Sequence, residues 1–276
     1  MSKVACIQTS SGPDAEVNWK QAEELVREAH SKGATLAALP EVVDFLDEGS
    51  ASFQRYARPL AEHLAASRFS RLAAELGLWI LVGSVTVRVD ESKLANRTLL
   101  FNSAGKLVAH YDKIHLFDTG VVGKKASTES NTFAPGDRAV VVDTPLGRMG
   151  LSICYDIRFP HLYRDLAKAG AQILAVPANF LQITGAAHWH VLLRARAIET
   201  GCYVIASAQC GECRPGNRSF GHSLIVDPWG EILADAGPDR VGIITADISS
   251  TRIAEVRERI RSLSHDRPYQ PATLAS

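Results

Sequence analysis

Cys154 stands where a nucleophile is useful, at the end of a short apolar run and just before a helical one. Met149 to Ile153 are brief, apolar and preceded by the turn Thr144-Pro145-Leu146-Gly147, so they read as a buried strand. A polar turn follows, then a stretch from about Leu162 to Ala169 with helical spacing. A nucleophile at such a turn is held at the end of a sheet, with backbone N–H groups of the following residues pointed toward it. Those groups favour a thiolate and can later hold an oxyanion. An isolated cysteine fits a buried structural role equally well, so its companions decide. Glu41 follows the apolar stretch ending at Leu39-Pro40, and Lys113 follows a hairpin. A carboxylate can take a thiol proton and an ammonium can stabilise a developing oxyanion. The three therefore form a working set for attack on an acyl carbon. The C-G-[SA]-C-[WY] context of a papain-type Cys–His pair is absent.

The elements needed to position this set are legible. After a first strand at Val4–Thr9, Ala22, Leu25, Val26 and Ala29 repeat at helical spacing and Gly33 closes the helix. Thr35–Leu39 reads as a strand, about Ala61–Leu76 as a helix stopped by Gly77, and Leu78–Val89 as a long strand. Asn96–Asn102 and Lys106–Tyr111 flank Ser103-Ala104-Gly105 as a hairpin. From Asp112 to about Arg138 the chain is polar and irregular, and it carries Lys113, His115, Lys124, Lys125 and Glu129. Loops of that length in a compact domain are commonly functional. The second half repeats the plan: a strand to Cys154 and a helix, a strand at Gln172–Val176, a helix at about Ala186–Thr200 and a strand at Tyr203–Ser207. Strands at His222–Val226, Glu231–Ala234 and Val241–Asp247 follow, and a last helix turns Ile253, Val256 and Ile260 inward. No linker or low-complexity stretch interrupts this, so residues 1–276 are expected to form one α/β domain with a tail from about residue 262.

Composition narrows the partners. Lys+Arg and Asp+Glu are both 30 in 276 residues, a formal net charge of zero, which offers no basic footprint for nucleic acid or anionic membrane. No apolar run reaches membrane-spanning length, and Met1-Ser2-Lys3 leads straight into the first strand rather than a signal peptide. Five cysteines, an odd and sparse set, point to a reducing cytoplasm rather than a disulfide framework. Cys210 and Cys213 form a C-x-x-C pair, but no second pair at matching spacing completes a zinc site, so no metal is expected.

Leu39-Pro40-Glu41, Tyr111-Asp112-Lys113-Ile114-His115-Leu116-Phe117 and Cys154-Tyr155-Asp156-Ile157-Arg158-Phe159-Pro160 resemble, in order, the three signature segments of the nitrilase superfamily of carbon–nitrogen hydrolases. The resemblance runs from Val4 to about Asp266. It implies an α-β-β-α sandwich, a homodimer or larger homo-oligomer, and a cofactor-free amidase working through a thioester. Carried over residue by residue, Glu41 is the base, Lys113 the oxyanion stabiliser, Cys154 the nucleophile and Glu129 the second glutamate, with the Tyr155 N–H beside Lys113 at the oxyanion. Ala187-His188-Trp189, Gly221-His222-Ser223 and Val226-Asp227-Pro228-Trp229-Gly230 resemble the Nit branch. Within it, Arg158-Phe159-Pro160, Arg194 to Thr200 and Ser207-Ala208-Gln209-Cys210-Gly211 are closer to deaminated-glutathione amidases than to ω-amidases. That implies a small amide of a keto acid as substrate, with an ω-amide such as 2-oxoglutaramate or an N-carbamoyl compound as the alternative. A catalytically silent scaffold of the same fold is the reading from a different class, and the intact Glu41, Lys113, Glu129 and Cys154 argue against it. An α-keto carboxylate calls for a fixed guanidinium, and Arg158 is the candidate. By family position Phe180 and Thr184 line the same end of the pocket. The other readings are an Arg158–Asp156 pair, a core Phe and a loop Thr. His190 stands where the branch usually carries Glu, and the remaining histidines, His188 and His222 included, read as structural or surface groups.

Overall fold

A computed structural model of the chain describes residues 2–47, 49–120, 127–214, 216–272 and 274. Lys124, Lys125 and the side chain of Cys213 lie outside the described residues.

The first half builds β1 (Ser2–Gln8), α1 (Ala15–Ser31), β2 (Leu36–Ala38), α2 (Ser50–Tyr56), α3 (Leu64–Leu76), β3 (Trp79–Arg88), β4 (Leu94–Phe101) and β5 (Leu107–Asp112). The short pair β6 (Asp118–Thr119) and β7 (Ser127–Thr128) lies in the long polar stretch, followed by β8 (Val140–Thr144) and β9 (Gly147–Leu151). The rest is α4 (Pro160–Lys168), β10 (Ile173–Ala175), α5 (Gln182–Thr200), β11 (Tyr203–Ala206), β12 (Cys210–Arg214) and β13 (Asn217–Phe220). It closes with β14 (Leu224–Val226), β15 (Ile232–Asp235), β16 (Gly242–Ile248) and α6 (Ser250–Arg259).

Two six-stranded sheets result, ordered β16-β1-β2-β3-β4-β5 and β15-β14-β11-β10-β9-β8. Period-two alternation explains how they stack. On β1, Val4 and Cys6 enter the core shared with the second sheet, whereas Ala5 and Ile7 face the core under α1 and α3. Leu36 and Ala38 divide from Ala37 in the same way. On the second sheet α4 and α5 supply Leu166, Trp189, Leu193 and Ala197 to the core. The result is the expected α-β-β-α sandwich.

The expected elements recur with ends moved by a few residues. Ala22, Leu25, Val26 and Ala29 are the buried stripe of α1, and Gly77 ends α3 in the left-handed conformation at φ 61°. Strand β8, helix α2 and the β12–β13 hairpin were not foreseen. Each is short, so its periodicity is weak. Ile260, expected to point inward, lies just past α6 and is 51% exposed, because the helix ends at Arg259.

Candidate active site

Glu41, Lys113 and Cys154, far apart in sequence, meet at one end of the sandwich. Glu41 follows β2, where Leu39 N–H donates to the Leu81 carbonyl at 2.8 Å and Val42 N–H donates to Ser84 Oγ at 2.9 Å. Gly83 makes this approach possible: a Cβ there would sit 2.1 Å from the Leu39 carbonyl oxygen and 2.5 Å from Pro177 Cβ. Lys113 follows β5, its N–H donating to the Asn96 carbonyl and its own carbonyl accepting from Gly136 N–H. Cys154 opens a 3₁₀ turn spanning residues 154–158, and its N–H donates to the Pro177 carbonyl at 2.9 Å. Its φ of 48° is unusual for a residue with a side chain, and such strain marks positions the surroundings overdetermine.

The side chains form a closed polar network. Lys113 Nζ donates to Glu41 Oε1 at 2.9 Å and to both oxygens of Glu129, at 3.1 and 2.9 Å. Asn96 Nδ2 donates to Glu41 Oε1 at 2.9 Å and to Glu129 Oε1 at 3.3 Å. Backbone N–H groups complete the carboxylates: Asn179 N to Glu41 Oε2 at 2.7 Å, and Phe117 N to Glu129 Oε2 at 2.7 Å. Glu41, Lys113 and Cys154 are all buried.

Burial pushes the Glu41 carboxyl up, but the Lys113 charge and the hydrogen bonds outweigh it and hold Glu41 below the usual carboxylate range. Burial likewise disfavours the Lys113 ammonium, yet Glu129 and Glu41 hold it well above the ordinary lysine range. Cys154 goes the other way. Burial first, then the Glu41 charge, push its thiol well above normal, against the pull of Lys113. The resting sulfur is therefore a thiol hydrogen-bonded to a carboxylate, not the thiolate expected from the turn alone. Such an arrangement can pass the proton from sulfur to Glu41 as the sulfur attacks, with the ammonium beside the developing oxyanion.

Outside this cluster lie the residues expected to bind substrate. Arg158 pairs not with Asp156 but with His188: Nη1 lies 3.2 Å from His188 Nδ1. Its guanidinium sits over the rings of Tyr155 and Phe180, at 5.7 and 5.2 Å. Asp156 is fully buried and occupied elsewhere, accepting from Tyr111 OH at 2.7 Å, Ile153 N at 2.8 Å and His115 N and Nδ1 at 3.0 and 2.7 Å. Phe180 packs on Trp189 with centroids 5.0 Å apart, so it is a core residue whose ring also lies beneath Arg158. Thr184 is in the first turn of α5, its hydroxyl donating to the Leu181 carbonyl.

Sequence reasoning missed Asn96, Asn179, His188 and the structural use of Asp156. A signal existed for two of them. Asn96 is an amide at the start of the strand that pairs with the one leading to Lys113, and Asn179 follows a strand as Glu41 does.

On the other side of the Glu41 loop is a cavity of about 580 Å³, lined by Trp19, Asp44, Tyr56, His63, Arg68 and Phe69 among others. None of the catalytic candidates lines it. Asp44 accepts from Tyr56 OH at 3.0 Å, while its Oδ1 and the Nδ1 of buried His63 have no hydrogen-bond partner among the described residues.

A sandwich of two mixed sheets flanked by helices, with Glu, Lys and Cys at the ends of three strands, is the nitrilase architecture. The carbon–nitrogen hydrolase family model matches residues 3–258, and the chain belongs to that family, an amidase class of enzyme. It is 44% identical over 272 residues to a deaminated glutathione amidase of Homo sapiens, covering 96% of this chain and 82% of that protein. The C. elegans NitFhit protein superposes with a TM-score of 0.90 at 37% identity, over 96% of this chain and 65% of that one. Nit3 of Saccharomyces cerevisiae, a member of branch 10 of the nitrilase superfamily, superposes with a TM-score of 0.84 at 31% identity, over 94% of each chain. Among the described residues no helix is long and apolar enough to cross a membrane.

Proposed function

We propose that the protein hydrolyses deaminated glutathione to 2-oxoglutarate and cysteinylglycine, a metabolite-repair reaction, with Glu41, Lys113, Cys154 and Glu129 as the catalytic set. The observation that carries this is the buried Lys113 ammonium, shared between Glu41 and Glu129 at the end of the sheet where Cys154 opens its turn. Glu41 takes the thiol proton as sulfur attacks the amide carbon, and the oxyanion rests on Lys113 Nζ and Tyr155 N–H. Glu41 then gives the proton to the leaving amine and the C–N bond breaks, leaving a thioester. Water attacks that thioester while Glu41 takes its proton; the acid leaves and the proton returns to sulfur. Two lower barriers replace one high one. Glu129 orients Lys113 and balances its charge. Arg158, presented by Tyr155, Phe180 and His188, receives the keto-acid carboxylate, and Thr184 lines the same end. No cofactor takes part in this scheme.

The likeness to deaminated glutathione amidases supports the choice of substrate. The whole chain acts as one carbon–nitrogen hydrolase domain with a tail from about residue 262. Free Cys6, Cys154 and Cys202 are consistent with a reducing cytoplasm. The exposed Ile183, Val191 and Ile198 along α5 support assembly as a homodimer.

The test is 2-oxoglutarate release from deaminated glutathione and from 2-oxoglutaramate, compared as kcat/KM with Cys154→Ala as the blank. Both give the same 2-oxoglutaryl thioester, so their ratio isolates the leaving group. A preference of about tenfold or more for deaminated glutathione, roughly 1.4 kcal/mol, is the expected result. The reverse preference makes the enzyme an ω-amidase, and release from neither removes the keto-acid role of Arg158.

A further inference from the structure

A second cluster of chemically capable side chains is built from three separate elements: His190 on α5, His222 just before β14 and Asp235 at the end of β15. One ligand atom from each lies within 4.8 Å of the others. His190 Nε2 is 3.1 Å from Asp235 Oδ2, and His222 Nδ1 is 2.9 and 3.0 Å from Asp235 Oδ1 and Oδ2. The two imidazole rings are 4.9 Å apart at 73° to each other. Linear spacing hides this set, because Asp235 lies 45 residues from His190 and 13 from His222.

We propose that His190 Nε2, His222 Nδ1 and the Asp235 carboxylate bind a divalent transition metal of the zinc type, leaving one coordination position to water. Two neutral imidazoles and one carboxylate are borderline ligands suited to such an ion. Tetrahedral ligands at about 2.0–2.1 Å from zinc stand roughly 3.3 Å apart. The two edges to Asp235 fall only a few tenths of an ångström short of that, and the edge between the imidazole nitrogens lies within 4.8 Å. Entry of the ion replaces the hydrogen bonds between the imidazoles and Asp235, and each ring moves its N–H to its other nitrogen. No net proton change is required.

The ligands are already held in place. His222 has a left-handed backbone at φ 53°, an unfavourable conformation for a side-chain-bearing residue. Its N–H donates to the Gly237 carbonyl at 2.8 Å, and its carbonyl accepts from Trp189 Nε1 at 2.8 Å. Phe220 stacks on its ring at 4.5 Å. Asp235 Oδ1 also accepts from Gly237 N–H at 2.8 Å, an outer partner of the sort that orients a ligating carboxylate. The side chains are 30%, 21% and 31% exposed in the order His190, His222, Asp235, so an ion can reach them from solvent.

Zinc titration by calorimetry tests this, on chelator-treated protein without a histidine tag. Cys154→Ala is the background, so that the catalytic sulfur cannot take the ion. One equivalent should bind. His190→Gln and Asp235→Asn, added singly, should each weaken binding by at least about tenfold, the scale seen when even outer partners of a metal are lost. In a parallel melt, zinc should raise the transition of the background protein and leave that of His190→Gln unmoved, while both melt cooperatively without zinc. No binding to the background protein, or equal binding in both variants, would overturn the proposal and leave these residues as a hydrogen-bonded surface cluster. The readouts do not depend on amide hydrolysis and stand apart from the proposed substrate.

Discussion

Glu41 and Asp44 sit three residues apart on one loop, and both are almost fully buried. They nevertheless behave oppositely. Glu41 meets an ammonium, an amide and a backbone N–H, and its carboxyl is held below the usual range. Asp44 meets a tyrosine hydroxyl and, at 3.6 Å, a histidine, and burial leaves its carboxyl above that range. Burial alone therefore does not decide the state of a carboxylate. A committed cation does, and Lys113 is that cation on the catalytic side of the loop.

Removing Lys113 breaks the contrast most severely. Lys113→Met should turn Glu41 into a second Asp44, leaving buried Glu41 and half-buried Glu129 without their counter-charge. We expect kcat/KM to fall at least about 10²–10³-fold, the scale of losing one oxyanion donor. Unfolding free energy should fall by about 3–5 kcal/mol, the scale of a broken buried pair. Steady-state kinetics and urea denaturation read the two effects separately.

Glu41→Gln sharpens the contrast by splitting charge from shape. Turnover should drop about 10²–10⁴-fold, as for loss of a general base. At the same time the Cys154 thiol should become more acidic, because the Glu41 charge that pushes it up is gone. The pH midpoint of iodoacetamide labelling at Cys154 should therefore move down while catalysis is lost. An unmoved midpoint would mean Glu41 does not act on the sulfur.

Arg158→Ala touches neither carboxylate and should act on binding. KM for a keto-acid amide should rise roughly 10–100-fold with kcat nearly unchanged, in line with about 1.5–3 kcal/mol for a charged hydrogen bond.

Asp44→Asn should have the smallest effect. A carboxyl raised on folding adds stability that is complete below its unfolded value, about 3.9, and disappears as pH rises through the folded value. A lowered one such as Glu41 adds stability that is present above about 4.3 and is lost as pH falls through its folded value. Acidification from neutral thus relieves Asp44 before it harms Glu41. The Asn variant should equal or exceed the parent in melting temperature at neutral pH, within about 1 kcal/mol, and lose that advantage in acid. A melting curve series across pH checks it.

The candidate trio of Glu41, Lys113 and Cys154 was legible because each member lies just past the end of a strand, a place a linear reading can mark. The alternation of β1 and the stripe of α1 were legible for the same reason, since both are periodic. What could not be read was partnership. Asp156 follows Cys154 closely and invites pairing with Arg158, yet it is claimed by Tyr111 of β5 and His115 just after that strand. His188 is the exposed group the sequence suggests, yet it also lies 3.2 Å from Arg158, which no linear pattern shows. The protonation of Cys154 depends on Glu41 and Lys113, 113 and 41 positions away by their numbering, and on burial that only the closed sandwich creates.

Strand β16 pairs antiparallel with β1 from Ser2↔Ile248 to Gln8↔Gly242. During synthesis the first strand therefore waits for nearly the last. At about 5–20 residues per second, that is a delay on the order of 10–50 s, with an apolar edge open to other chains. Every group of the candidate site, from Glu41 to Asn179, has left the ribosome long before β16 has. Working enzyme thus depends on a strand that contributes nothing to the chemistry, and a chain stopped short of Gly242 would carry the whole site on a permanently unsealed sheet.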